Sequence, residues 1–286
     1  MSDTFAVVER RTFLKAVGGL GLLALAPATR VRALLDAAPA VGQAGRFLTA
    51  HELDTLRAVA GRFIPGPPDD PDPGAVEAGA PEAIDLYLAA FTVDPPLIHA
   101  GGPFSNRAGA AHDDFADFVP LDALAELGWR IRLEGSQGKP EREFAGPVTG
   151  LQEIYRSGLA HLDQRAGGNF AALPGPAQDL ILSDQTDSAV QDFVGAALFD
   201  VLDATYGPPE YGGNRNLVGW TVNNWPGDTQ PRGFTPEQVS NADPQPGTPA
   251  LSAKAAAAAL KFLPALAGRP AARTAPWRAR TGYERG

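Results

Sequence analysis

The sequence predicts a mainly α fold: an irregular helical domain with long loops, flanked by N- and C-terminal extensions that are disordered or wrapped on a partner. Three observations carry that reading. Apolar residues recur at helical spacing in successive stretches between Thr49 and Tyr206. Strand-favouring residues are thinly spread, while alanine, 32 glycines and 27 prolines are plentiful. Between the helical stretches lie long segments with no period at all. The chain divides into a signal and linker over residues 1–40, a helical domain over 41–240, and an Ala/Pro/Arg-rich tail over 241–286.

The first thirty residues read as an export address. Glu9-Arg10-Arg11-Thr12-Phe13-Leu14-Lys15 precedes a glycine-rich apolar run, and paired arginines before such a run fit a twin-arginine signal. Arg10, Arg11, Phe13, Leu14 and Lys15 carry the match. The run from Ala16 to Ala26 is too short to span a bilayer, which takes about 20 apolar residues. Cleavage after Ala28 and cleavage after Ala40 both follow Ala-Pro-Ala, and the sequence does not choose. Gly19 to Ala24 mimics a dinucleotide fingerprint, but no strand precedes it. Twin-arginine export moves folded proteins, so this chain, or something bound to it, is expected to fold or load a cofactor before it crosses.

The domain opens at Thr49-Ala50-His51-Glu52, a capping box followed by Leu53, Leu56, Ala60 and Phe63 at helical spacing and stopped by Pro65. His51 reads as a surface residue. Asp69, Asp70 and Asp72 invite a calcium loop, but Pro81 stands where an EF-hand needs its last carboxylate, so a solvated turn is expected. A helix follows from Pro81 to Phe91, with Ile84, Leu88 and Phe91 on one face. Asp94 to Pro120 is irregular, and the adjacent His112, Asp113 and Asp114 diverge too much to ligate one metal. Leu121 to Leu133 reads as a helix facing inward through Leu124, Leu127 and Ile131. Gly135-Ser136-Gln137-Gly138 falls short of a nucleophile elbow and reads as a turn. Val148, Leu151, Ile154, Tyr155, Leu159 and Leu162 form one stripe, and Leu180 and Ile181 belong to a shorter helix after Pro176. Val190 to Leu202 forms another stripe, capped by Asp187 or Ser188 and closed by Gly207, with Asp200 and Asp203 on its solvated edges.

That last helix delivers the chain into Pro208–Phe234, where two tryptophans, paired glycines and four asparagines sit in a segment with neither helical nor strand period. Such a loop either plugs the protein's own core or presents anchors to a partner, as long ordered loops with exposed aromatic and Arg side chains do. Tyr211, Asn214, Arg215, Trp220, Trp225 and Arg232 are the candidate partner-binding residues. Both jobs are compatible if the glycine turn and one tryptophan tuck inward while Arg and Tyr face out. Beyond Phe234, Ser252 to Phe262 is helical by propensity, and the arginine-rich end reads as an arm for an acidic partner or anionic lipid.

Inventory excludes much chemistry. There is no cysteine, so disulfides, thiolate metal sites and Cys nucleophiles are ruled out. A net charge of −9 argues against nucleic acid as a partner. No Glu-x-x-His pair, hydrolase elbow or strand-linked glycine motif marks the mature part, and no residue is assigned a catalytic, metal-binding or cofactor-binding role.

Four motifs give the chain a family resemblance: Arg10 to Lys15; Arg62-Phe63-Ile64-Pro65 with Gly74 to Gly79; Tyr155-Arg156-Ser157-Gly158-Leu159 with Leu162-Asp163; and Pro209-Glu210-Tyr211-Gly212-Gly213-Asn214-Arg215 with Gly219-Trp220. Together they resemble the gluconate 2-dehydrogenase subunit 3 family; Asp94–Asp117 and the tail after Gln238 lie outside the motifs. The resemblance implies a non-catalytic small subunit of a periplasmic dehydrogenase for a sugar or sugar acid. Its partner would be a large FAD-dependent subunit of the glucose–methanol–choline type, folded in the cytoplasm and carried through the twin-arginine translocase. A cytochrome c subunit would complete the complex, held in the periplasm or at the outer face of the cytoplasmic membrane. A free-standing exported enzyme or binding protein, and a transient flavoprotein chaperone, are the competing readings.

Overall fold

A computed structural model of the chain describes residues 39–101, 105–225, 227 and 261. The fold is built from α1 (Ala50–Phe63), α2 (Ala80–Leu88), α3 (Ala123–Glu134), α4 (Leu151–Arg165), α5 (Gly175–Leu182), α6 (Ser188–Tyr206) and α7 (Val218–Val222). No strand forms among the described residues. The expected export residues Arg10, Arg11, Phe13, Leu14 and Lys15, and the loop residue Arg232, lie outside them.

Helix α1 starts where the capping box requires. Thr49 N–H donates to the Glu52 carboxylate at 2.8 Å, and Glu52 N–H donates back to the Thr49 hydroxyl at 3.3 Å. Leu53, Leu56, Val59, Ala60 and Phe63 are its buried face. His51 is exposed, as expected of a surface residue, and its Nε2 pairs with Asp163 across 2.8 Å. Asp70 is buried rather than solvated, its carboxylate accepting from Asp72 N–H at 3.0 Å.

Helix α2 departs most from the one-sided pattern. Every residue from Ala80 to Leu88 is buried, and regular helix ends at Leu88 rather than Phe91. Its alanines let α1 and α6 approach from different sides, so the helix is central rather than amphipathic. Its two buried acids are accounted for. Glu82 accepts from Arg57 Nε at 2.8 Å, and Asp85 collects the backbone N–H groups of Arg46, Phe47 and Leu48.

Helix α3 is rotated relative to the expected face. Ile131 is buried as expected, but Leu124 is exposed, while Trp129 and Leu133 are buried. The larger Trp129 takes the core position and meets Tyr87 edge-on at 6.1 Å. The preceding Asp122 caps the helix through Ala125 N–H at 2.7 Å.

Helices α4 and α6 form the main packed pair, with Tyr155, Leu159 and Leu162 against Val190, Phe193 and Val194. Gly158 is dictated by this contact, because a Cβ there would lie 2.4 Å from the Phe193 ring. Each fully buried large side chain of this seam stabilises the fold by about 1.5–3 kcal/mol. Asp187 is the N-cap of α6, accepting from Ala189 and Val190 N–H. Asp200 is not on a solvated edge; it is buried and accepts the Tyr155 hydroxyl proton at 2.8 Å. On α5, Leu182 is the core residue, and Leu180 stands 74% exposed.

Candidate partner-binding loop

An α-helix ends with carbonyls that its own turn cannot satisfy. In α6 these are met by the chain that follows. Gly207 N–H donates to Asp203 O at 2.7 Å, Asn214 N–H to Ala204 O at 2.7 Å, and the Trp220 indole N–H to Tyr206 O at 2.7 Å. The Asn214 side chain closes the loop on itself, giving Nδ2–H to Gly207 O at 2.9 Å and accepting Gly219 N–H at 2.9 Å. Asn214 is fully buried, as its satisfied polar atoms allow. The run from Gly207 to Trp220 is therefore a cap wrapped around the C-terminus of α6.

Two glycines make this wrap possible. Gly213 has φ of 81°, and a Cβ would sit 2.0 Å from Ala204 O. Gly219 presses so closely on Thr205 O that a Cβ would also approach to 2.0 Å. The segment is not aperiodic throughout: Pro209–Tyr211 and Arg215–Leu217 are 3-10 turns, and Val218–Val222 is the short helix α7. A composition so rich in Gly and Asn hides these because each unit is only a turn long.

A second segment closes over the cap. Glu210 is buried and held bidentately by Arg107, whose Nε donates at 2.8 Å and whose Nη2 donates to the other carboxylate oxygen. The same guanidinium lies 4.6 Å above the Trp220 ring, and Phe115 meets Tyr211 edge-on at 5.1 Å. Arg107 and Phe115 were not among the candidate residues. Their segment has no periodicity, and the one hint was the need of a buried Glu210 for a cation.

The candidates thus separate. Tyr211, Asn214 and Trp220 are brought together inside the protein, and Tyr211 does not face outward as expected. Arg215 is half-buried; its N–H donates to Ala78 O at 3.0 Å and its guanidinium lies against Gly79, with Nη2 buried and unpartnered. Trp225, by contrast, is 56% exposed, and its N–H donates to Trp220 O at 2.8 Å. Between them the backbone is strained. Asn216 and Leu217 have φ of 55° and 60°, and Asn224 has φ of 51°. For Leu217 that is costly, on the order of 1–3 kcal/mol, and such outliers persist only where the surrounding structure imposes them.

Among the described residues, two tyrosine hydroxyls lie deep in the core. Burial pushes the Tyr87 and Tyr155 hydroxyls far above the usual phenol range, and each is engaged, by Arg132 at 2.6 Å and by Asp200 at 2.8 Å. Beside the cap, burial pushes Tyr206 up to about 12. Among the described residues no three His, Asp or Glu side chains converge to hold a metal ion, and no helix is long and apolar enough to cross a membrane.

Comparison with known proteins adds one finding. No curated protein and no solved structure matched the chain. The family model described as gluconate 2-dehydrogenase subunit 3 matches residues 50–227. That range runs through α1 to α7 and the cap, and across 94–117, which the motifs alone had left out. It covers more than half of the sequence, and the chain belongs to the gluconate 2-dehydrogenase subunit 3 family.

Proposed function

We propose that this chain is a non-catalytic accessory subunit of an FAD-dependent dehydrogenase of the glucose–methanol–choline type, acting on a sugar or sugar acid. It binds the folded flavoprotein in the cytoplasm, carries it through the twin-arginine route, and stays with it at the periplasmic side. The flavin belongs to the large subunit, and a cytochrome c subunit would take its electrons. No residue of this chain is assigned to either cofactor.

Family membership supports a place in a dehydrogenase complex, and one geometric observation supports the docking role. The α6 cap is a hydrogen-bonded platform, closed on itself by the Asn214 side chain, that ends in a strained, exposed edge carrying Trp225. A carrier must hold its cargo through transport, which favours a preorganised aromatic anchor at the centre of the contact. Arg215, whose buried Nη2 has no hydrogen-bond partner among the described residues, lies in the same loop.

The test is affinity purification of the tagged chain from the exported fraction. A co-purifying large subunit with a flavin absorption spectrum is the expected result. The chain recovered alone, with dehydrogenase activity of its own, would overturn the accessory reading. Changing Arg10 and Arg11 together to lysine is expected to leave both chains in the cytoplasm; normal export of the flavoprotein in that variant would refute this signal as the route.

A further inference from the structure

Two Ala-Pro-Ala sites compete for removal of the export signal, one ending at Ala28 and the other at Ala40. The bond at the second site, Ala40–Val41, is described, and it does not lie in an open strand. Ala40 O accepts Gln43 N–H at 3.0 Å, so that bond is the first peptide of a β-turn. Gln43 Oε1 accepts Ala40 N–H at 3.2 Å and closes the turn from the other side. Helix α1 holds both flanks: Arg57 Nη2 donates to Pro39 O at 2.6 Å, and the Asp54 carboxylate accepts Gly42 N–H at 3.1 Å. Arg57 is itself fixed, because its Nε donates to the buried Glu82 at 2.8 Å. Beyond the turn, Phe47 and Leu48 N–H donate to the buried Asp85 carboxylate at 3.0 and 2.8 Å. Arg156 of α4 lies 4.2 Å over the Phe47 ring. The stretch from Pro39 to Leu48 is therefore a clasp laid on α1, α2 and α4.

We infer that the Ala40–Val41 bond survives export and that the signal is removed after Ala28. Val41 is 80% exposed, so side-chain access alone would favour a cut at Ala40. What withholds the bond is its hydrogen-bonded backbone, which decides where a folded chain can be nicked. A peptidase seats the residues before its cut as an extended strand, in main-chain hydrogen bonds of its own. Seating Ala40 that way breaks the turn and takes the Pro39 carbonyl from Arg57. In a chain that crosses folded, the clasp is already formed when the peptidase meets it. Ala28 lies outside the described residues and is selected by its motif. Hydrolysis there adds one water across the Ala28–Thr29 amide, leaving a carboxylate on the released signal and an amine on Thr29. The inference rests on the twin-arginine reading above.

The intact mass and N-terminal sequence of a C-terminally tagged chain from the exported fraction test it. A chain starting at Thr29 is expected. One starting at Val41, or exported with its signal still attached, would overturn the inference. A chain found only in the cytoplasm would overturn the export reading and the cut after Ala28 with it; the clasp is decided separately. For that, the purified full chain is treated with elastase, which cuts after small residues. Replacing Gln43 and Asp54 together by alanine removes two bonds of the clasp and leaves Arg57 on Glu82. The fragment starting at Val41 should then appear about tenfold faster than from the parent, with the melting temperature unchanged. Equal rates from the two chains would overturn the clasp.

Discussion

Trp220 and Trp225 stand in the same loop, in opposite physical situations. Trp220 is buried to 6% exposure, its indole N–H on a helix carbonyl and a guanidinium stacked on its face. Trp225 is 56% exposed and, among the described residues, is hydrogen-bonded through its backbone N–H to Trp220 O. The first belongs to a cap that finishes α6; the second is what the cap holds out. The contrast teaches that a loop motif can be memorable for a structural reason, while the residue proposed to meet a partner lies just past it. Most of the Pro209–Trp220 motif is explained by the unsatisfied carbonyls of α6 and requires no partner.

Substitutions should break the inner half in a graded way. The largest effect is expected from Gly213→Ala, which places a methyl group into the Ala204 carbonyl and a side chain at positive φ. The loss should be about 3–5 kcal/mol, seen in chemical denaturation as a large drop in midpoint. Arg107→Ala should cost about 2 kcal/mol, because Glu210 keeps its burial and loses its bidentate cation. Trp220→Phe keeps the ring's bulk and removes one buried hydrogen bond, for a loss of about 1–2 kcal/mol in the same assay.

A smaller effect sharpens the comparison by touching α6 at its other end. His161 holds the Asp187 carboxyl down at about 2, and Arg165 also pairs with it. A carboxylate lowered on folding adds stability above its unfolded value near 4. That stability is lost as pH falls towards about 2. Asp187→Asn keeps an N-capping side chain and removes the charge, so its melting curve should approach the parent's at low pH and fall slightly below it at neutral pH. An equal gap at both pH values would show that the pairing contributes nothing.

How much of this was legible in the sequence follows from the physics of each element. Helix α1 was readable because its cap is local: Thr49 and Glu52 speak to each other three residues apart. The α4 and α6 stripes were readable from period alone, and Gly207 was placed correctly as the end of α6. Helix α2 was misread as one-sided, because burial on every side comes from what packs around its alanines and not from its own pattern. Leu124 was assigned inward by hydrophobicity, yet Trp129 took that place. Asp200 was left to solvent because nothing local announces the Tyr155 hydroxyl that approaches it from α4. In the loop, the residue types pointed to the right segment, but which side chains it swallows depends on Arg107 and Phe115, about a hundred residues earlier in the chain.

The central claim is that the exposed end of the loop, not its buried motif, holds the partner. Trp225→Ala tests it most directly, with the variant's melting temperature and its capture of flavoprotein from the exported fraction measured side by side. A melting temperature within about 2 °C of the parent is predicted, together with a roughly tenfold or greater fall in captured flavoprotein. Undiminished capture by a stably folded variant would contradict it.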